Sequence, residues 1–359
     1  MIESRQQTPI DRIAESWVDA LVAHEPITGT YIGRSEANGR LPDLSPAGAD
    51  ALADVERRTL AELESAEPRD AVDAVTRADL AASLRLSLAQ HEAGEHLRDL
   101  NVIESPPQQV RDAFDLMPTE TEDDWETVST RLSAVPAALA GYRLALADGV
   151  SRGTVPAIRQ VREAAAQARR TAESFFTGLA SRAYGIRPAL VAELGAAASE
   201  ASRGYAELAD FLELSIAPYA PLADAFGRER YELASEAFLG ARIDLDETYE
   251  WGLEELARMV DEQERVAAEI VGGSPRPGIV AEAIAKLDAD PSRKLHGTEA
   301  LKRWMQETSD RAVAELAGEF RGGRKASDNS TGAVTAAGQF DIPAEIRTLE
   351  CMIAPTQEG

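Results

Sequence analysis

A mainly α fold, a multi-helix bundle with long antiparallel helices, follows from three features of the sequence. Alanine, leucine and glutamate recur throughout, while aromatic residues make up only 5%, a composition that suits helices packed through small side chains. Helix-starting signals stand before one apolar run after another, as at Thr8-Pro9, Ser45-Pro46, Ser105-Pro106 and Thr121. The central region then holds a three-four apolar spacing over several heptads. Beyond the helices, the sequence predicts a flexible loop and one C-terminal strand.

In order along the chain, Thr8 is the N-cap, Pro9 the first helical residue and Asp11 the first-turn acid, followed by Ile10, Ile13, Trp17 and Leu21 on one face. Ser45-Pro46 starts a helix that reaches about Ala66. Residues Asp70 to Asn101 read as one long helix carrying Leu80, Leu84, Leu86 and Leu88. Ser105-Pro106 opens a helix that ends before Pro118. Thr121 and Asp124 cap one with Trp125, Val128 and Leu132, and Pro136 is read as the start of the next. Ile158, Val161, Ala165, Ala168, Ala172, Phe175 and Leu179 form a seam that resumes, after a break at Gly185 to Pro188, with Leu190, Leu194, Ala197, Ala201, Leu208 and Phe211. A seam so rich in alanine lets two helices approach closely, and an antiparallel hairpin is favoured over an intermolecular coiled coil because the break is short. Further helices are read at Asp246 to Val271, stopped by Gly272-Gly273, at Pro277 to Asp288 and at Thr298 to Glu319.

The stretch 321–339 is rich in Gly, Ser, Thr and Asn and has no apolar period, so it reads as a flexible loop. After it, Leu349, Cys351 and Ile353 alternate with Thr348, Glu350 and Met352, the pattern of a strand, which needs a partner for its backbone. The organisation expected is a helical domain over 1–320, a loop over 321–339 and a strand-bearing segment over 340–359.

Sixty-two acidic residues against 37 basic give a net charge of −25. Nucleic acid and anionic membrane both need a positive footprint, so neither is an expected partner. The first residues carry no charged segment followed by an apolar core, and no stretch approaches the roughly 18 apolar residues of a membrane span. With Cys351 as the lone cysteine, no internal disulfide framework is expected, and the anticipated location is the cytoplasm.

The most suggestive chemistry lies in "QHEAGEHLRD", where His91, Glu92, Glu95 and His96 fall within six residues. A zinc helix of the H-E-x-x-H kind works because residues four apart lie about 40° apart around the helix. Here the histidines are five apart, about 140° around a helix, and cannot share an ion unless the helix breaks. On a helix His91 would face Glu95, and Glu92 would face His96. Ordinary helix contacts are favoured over the lining of a cleft, and both over a metal site completed by distant ligands; only His24 and His296 remain as further histidines. The acidic run "DLDETYEWGLEE", with Asp244, Asp246, Glu247, Glu250, Glu254 and Glu255, suits a first helical turn better than a di-metal site, which would want Glu-x-x-His pairs. Cys351 reads as a small buried residue. No P-loop, dinucleotide turn or nucleophile elbow occurs.

"HEAGEHLRDLNVIESPPQQVRDAFDLMPTETEDDWETVSTRL" (91–132), "DLDETYEWGLEELARM" and "FDIPAEIRTLECMIAPTQEG" (340–359) resemble segments of the bacterial domain-of-unknown-function 885 family. The resemblance implies a largely helical, cleft-containing fold similar to zinc carboxypeptidases and oligopeptidases. It also implies that full-length relatives carry a zinc-binding histidine-glutamate motif beyond the point where this chain ends. On that resemblance this chain would be the N-terminal helical part, with 340–359 the start of a truncated catalytic region. Zinc is then expected in full-length relatives, but no cofactor, metal ligand or catalytic residue in this chain, which would be inactive alone. His91, Glu95, Arg98 and Asn101 are candidate cleft-lining residues. The implied partners are a peptide substrate in the full-length form, and a C-terminal half or protein partner. The alternative is a free-standing acidic helical module for protein interaction.

Overall fold

The computed structural model describes residues 5–322, with side chains through residue 315, and every regular element among them is helical. The helices are α1 (Pro9–His24), α2 (Pro26–Tyr31), α3 (Pro46–Ser65), α4 (Ala71–Glu92), α5 (Pro106–Asp112), α6 (Glu122–Arg152), α7 (Ile158–Arg170), α8 (Phe176–Ser181), α9 (Pro188–Phe211), α10 (Arg228–Leu239), α11 (Leu245–Val271), α12 (Ile279–Ala289) and α13 (Thr298–Gly322). They divide into two compact units, one through residue 245 and one from residue 246. The helical domain expected over 1–320 spans the first unit and the helices of the second. The strand read at 348–353, Cys351 and nearly all of the loop read at 321–339 lie outside the described residues; α13 continues through Gly322.

The punctuation acts as anticipated at the N-termini of α1, α3 and α6, whereas Ser105 precedes α5 without a side-chain cap. Thr8 accepts from the Asp11 amide while Asp11 accepts from the Thr8 amide at 2.8 Å, a reciprocal cap with Pro9 at the first helical position. Thr121 and Asp124 form the same box for α6. In the first unit α1, α3 and α4 pack around Ile10, Leu63 and Leu84. The larger core lies where α9 packs along α6 on one side and along α7 and α8 on the other. Small residues let these helices close on one another: Ala164, Ala165 and Ala168 face a helix that buries Ala197, Ala198 and Ala201. The 158–211 region is therefore the intramolecular antiparallel hairpin, with one π-helical turn at Thr171–Phe175 between α7 and α8.

Three boundaries differ from the sequence reading by more than three residues. Pro136 does not start a helix; it lies inside α6, which is continuous over 31 residues. A proline within a helix removes a hydrogen bond and costs about 3 kcal/mol. The buried face Val128, Leu132, Val135, Leu139, Tyr142 and Leu146 runs straight past it, and that burial offsets the loss. Gly204 of α9 sits against it: a Cβ there would lie 3.4 Å from Pro136 Cα. The helix read to end before Pro118 stops at Asp112. Finally, the helix read from Asp70 to Asn101 ends at Glu92, because Gly94 takes a left-handed conformation at φ +70°.

Arg131 is the largest fully buried side chain. Its guanidinium donates to the carbonyls of Arg40 (3.1 Å), Ala37 (3.1 Å) and Ala113 (3.4 Å) and to Thr30 Oγ1 (2.6 Å), tying the α2 region and the α5 end to α6. Burial lowers its pKa to about 10. Arg131→Met keeps much of the volume but strands those acceptors, so we expect a loss of about 3 kcal/mol in the stability of the first unit, read as a shift of its urea midpoint. A shift below about 0.5 kcal/mol would show that the network contributes little.

Candidate functional site

The turn that ends α4 shapes the site. After Gly94 the chain makes a single 3-10 turn, Glu95–Leu97, and continues through Asn101. Leu97 is buried, and its carbonyl is one of two that press on α6 at Gly149. A Cβ at that glycine would meet Leu97 O at 2.4 Å and Thr154 O at 2.6 Å, so only glycine permits the approach. The segment 95–101 thereby becomes one wall of a cleft of about 940 Å³ lying wholly within the first unit. Its other walls come from the α1–α2 junction, α3, α4, α6, the start of α7 and α10.

His91, Glu95, Arg98 and Asn101 all line this cleft. The structure corrects how they pair. Because the helix breaks at Gly94, His91 does not face Glu95, nor Glu92 His96. The His91 and His96 rings stack instead, with centroids 4.6 Å apart and planes within 8°. His91 Nε2 lies 3.0 Å from Asp50 Oδ1. Glu95 is clamped between two guanidiniums: Arg230 binds it through Nε at 2.9 Å and Nη2 at 2.7 Å, and Arg98 through Nη2 at 2.9 Å. Arg230 also stacks over Phe226 at 4.0 Å. Asn101 accepts from the Ile103 and Glu104 amides at 2.8 and 2.7 Å, which fixes the loop before α5.

Sequence reasoning missed Glu25, Glu56, Asp99, Gln160 and Arg230, which also line the cleft. Arg230 sits on α10, a helix that lacks a side-chain cap and buries none of its residues, so neither local signal marks it. Enclosure pushes the Glu25 carboxyl up to about 7. Asp99 is exposed along the cleft; crowding by the walls, then the charges of Glu95 and Glu104, raise it to about 6. Glu56 is raised by burial against a hydrogen bond from Ser87 at 2.6 Å. His96 is lowered by burial and by His91, and Arg98 by burial.

Six buried side-chain polar atoms among the described residues have no hydrogen-bond partner, and four belong to residues that line this cleft: His91 Nδ1, His96 Nδ1, Arg98 Nε and Gln160 Oε1. Leaving such groups unmade costs roughly 1–3 kcal/mol each. They include a fixed donor, Arg98 Nε–H, and a fixed acceptor, Gln160 Oε1.

These residues do not fit a zinc ion. Ring nitrogen lone pairs lie in the ring plane, and two nearly parallel planes give no common point for a tetrahedral ion. Among the described residues no group of three or more His, Cys, Asp or Glu side chains is placed to hold a metal. No helix of the described residues is long and apolar enough to cross a membrane.

Residues 26–359 match the family described as bacterial protein of unknown function (DUF885). None of the curated proteins matches. Among solved structures, a "putative lipoprotein" from Colwellia psychrerythraea shares the fold at a TM-score of 0.66 and 13% identity, covering 87% of this chain and 59% of its own. A "putative lipoprotein of unknown function" from Shewanella oneidensis does so at 0.62 and 16%, covering 88% and 58%. The chain thus spans under two thirds of the length of these structural neighbours.

A raised carboxyl pKa means the folded state holds its proton more tightly than the unfolded chain, so stability is greatest below the unfolded values near 4 and falls as pH rises through about 6 and 7. Denaturation at pH 5 and pH 8 should therefore show the first unit weaker at pH 8. Glu25→Gln, which mimics the protonated acid, should recover on the order of 2 kcal/mol there and little at pH 5. An unchanged pH dependence in that variant would mean Glu25 is ionised and solvated at neutral pH.

Proposed function

The chain belongs to the bacterial DUF885 family, and from that premise we propose that it is the helical, substrate-holding portion of a zinc-metallopeptidase-like protein, with the α4–α6 cleft holding a peptide. The observation that carries this reading is the set of unpartnered polar atoms on the cleft wall. A peptide main chain offers both N–H and C=O groups, and small side-chain rotations would let Arg98 Nε and Gln160 Oε1 each meet one. Apolar walls from Leu52, Leu100, Val155 and Phe226 give room for side chains.

The chain supplies no H-E-x-x-H motif, so on this reading it binds peptide but does not hydrolyse it alone. Glu95 orients Arg98 and Arg230 and leaves their remaining N–H groups for a ligand. The protein acts in the cytoplasm on this proposal; the description of the structural neighbours as lipoproteins supports the opposing site at the cell envelope.

A fluorescein-labelled mixed-sequence hexapeptide tests the reading by anisotropy. We expect saturable binding without cleavage, weakened roughly 10- to 100-fold by Arg98→Met, the value of a charge-assisted hydrogen bond. Gln160→Leu should weaken it less. No binding at millimolar peptide, or binding indifferent to both variants with the fold intact by circular dichroism, would contradict it.

A further inference from the structure

Within the second unit, α11 presents an apolar face that none of the described residues covers. Its C-terminal end is packed: Ala267 and Ala268 are buried with Ile279 and Ala283 of α12. The preceding turns are not. Tyr249, Leu253, Leu256 and Val260 follow the i, i+4, i+3, i+4 spacing of one helical stripe, and they are 69, 52, 58 and 42% exposed. Met259, 48% exposed, widens the stripe on one side. A contiguous apolar row of this length on a water-soluble helix marks a contact surface.

The charges beside the stripe identify the partner. Glu250, Glu254 and Asp261 lie along its other side, and among the described residues none of the three has an ion-pair partner. The only bases on the helix, Arg258 and Arg265, are taken up by Glu255, Glu262 and Glu269. A second copy would bring an equally acidic face against this one, in a chain of net charge −25. Of the chain's own residues, 323–339 hold Arg324 and Lys325 but no leucine, isoleucine, methionine or aromatic side chain to fill the stripe, and 340–359 set Asp341, Glu345, Glu350 and Glu358 against Arg347, so neither segment supplies the complement.

We propose that this face of α11 docks an amphipathic helix of another polypeptide whose basic residues flank its apolar side. Leucine-type side chains from that helix seat between Tyr249, Leu253, Leu256 and Val260, while its basic flank pairs with Glu250, Glu254 and Asp261. The stripe belongs to the second unit and the cleft to the first, and neither proposal depends on the other.

Two synthetic 20-residue helical peptides test it on the full chain, both with leucine at i, i+3, i+4 and i+7 spacing, one flanked by lysine and arginine and one by glutamate. We expect the basic peptide to bind at least 10-fold more tightly than the acidic one. Leu253→Glu with Leu256→Glu is the decisive variant, because it adds negative charge while spoiling the apolar stripe. The proposal predicts at least a 10-fold loss of basic-peptide binding in that variant; unchanged or tighter binding would reveal mere charge attraction and overturn it. Glu250→Lys with Glu254→Lys should bring the two peptides' affinities together. Equal binding of both peptides to the unmodified chain would overturn the proposal. So would dimerisation of the chain in light scattering that Leu253→Glu with Leu256→Glu abolishes, which would assign the face to a second copy.

Discussion

At Gly149 the backbone of α6 lies so close to the carbonyls of Leu97 and Thr154 that a Cβ would sit within 2.6 Å of either, and the cleft is built outward from that contact. The turn can reach α6 only because α4 stops early, and α4 stops because Gly94 adopts φ +70°. Leu97 then buries itself while Glu95, His96 and Arg98, its neighbours in the same short turn, line the cavity. Tyr142 of α6 anchors the next residues, donating its hydroxyl to the Asp99 carbonyl at 2.6 Å. Two glycines with different tasks, one conformational and one steric, thus convert a helix end into the wall of a cleft.

The electrostatics of that wall run against those of the whole chain. In a protein of net charge −25, the cleft holds two guanidiniums on a single carboxylate, while Glu25, Glu56 and Asp99 hold their protons more tightly than free carboxyls do. Desolvation is the common cause, and it acts on the bases too, holding His96 and Arg98 down. Enclosed groups left without partners are costly to the fold, and sites of that kind are where binding is commonly found. Arg131 shows the contrasting case: it is buried completely but meets four oxygen acceptors, and its task is to hold elements together.

Much of the helical framework was legible in the sequence because helix starts are local events. Thr8 with Asp11, and Thr121 with Asp124, need only their own three-residue neighbourhood to act. Pro136 misled because its local cost is overridden by a buried face that extends in both directions, a tertiary effect. Gly94 misled in the opposite sense: leucine spacing before it and charged residues after it read as one helix, and nothing local fixes a left-handed residue there. The candidate wall residues His91, Glu95, Arg98 and Asn101 were readable because they crowd one stretch of chain. Glu25, Gln160 and Arg230 enter the same cavity from distant positions, and only the fold brings them there. Arg230 meets Glu95 across 135 residues, on a helix with no cap to announce it.

The central claim is that the unpartnered atoms on this wall await a ligand main chain. A crystal structure of the chain with a bound hexapeptide addresses it most directly. The account predicts peptide density along the 95–101 wall, with main-chain groups within hydrogen-bonding distance of Arg98 Nε and Gln160 Oε1. Peptide bound elsewhere, or a cleft already closed by the chain's own residues satisfying those atoms, would contradict it.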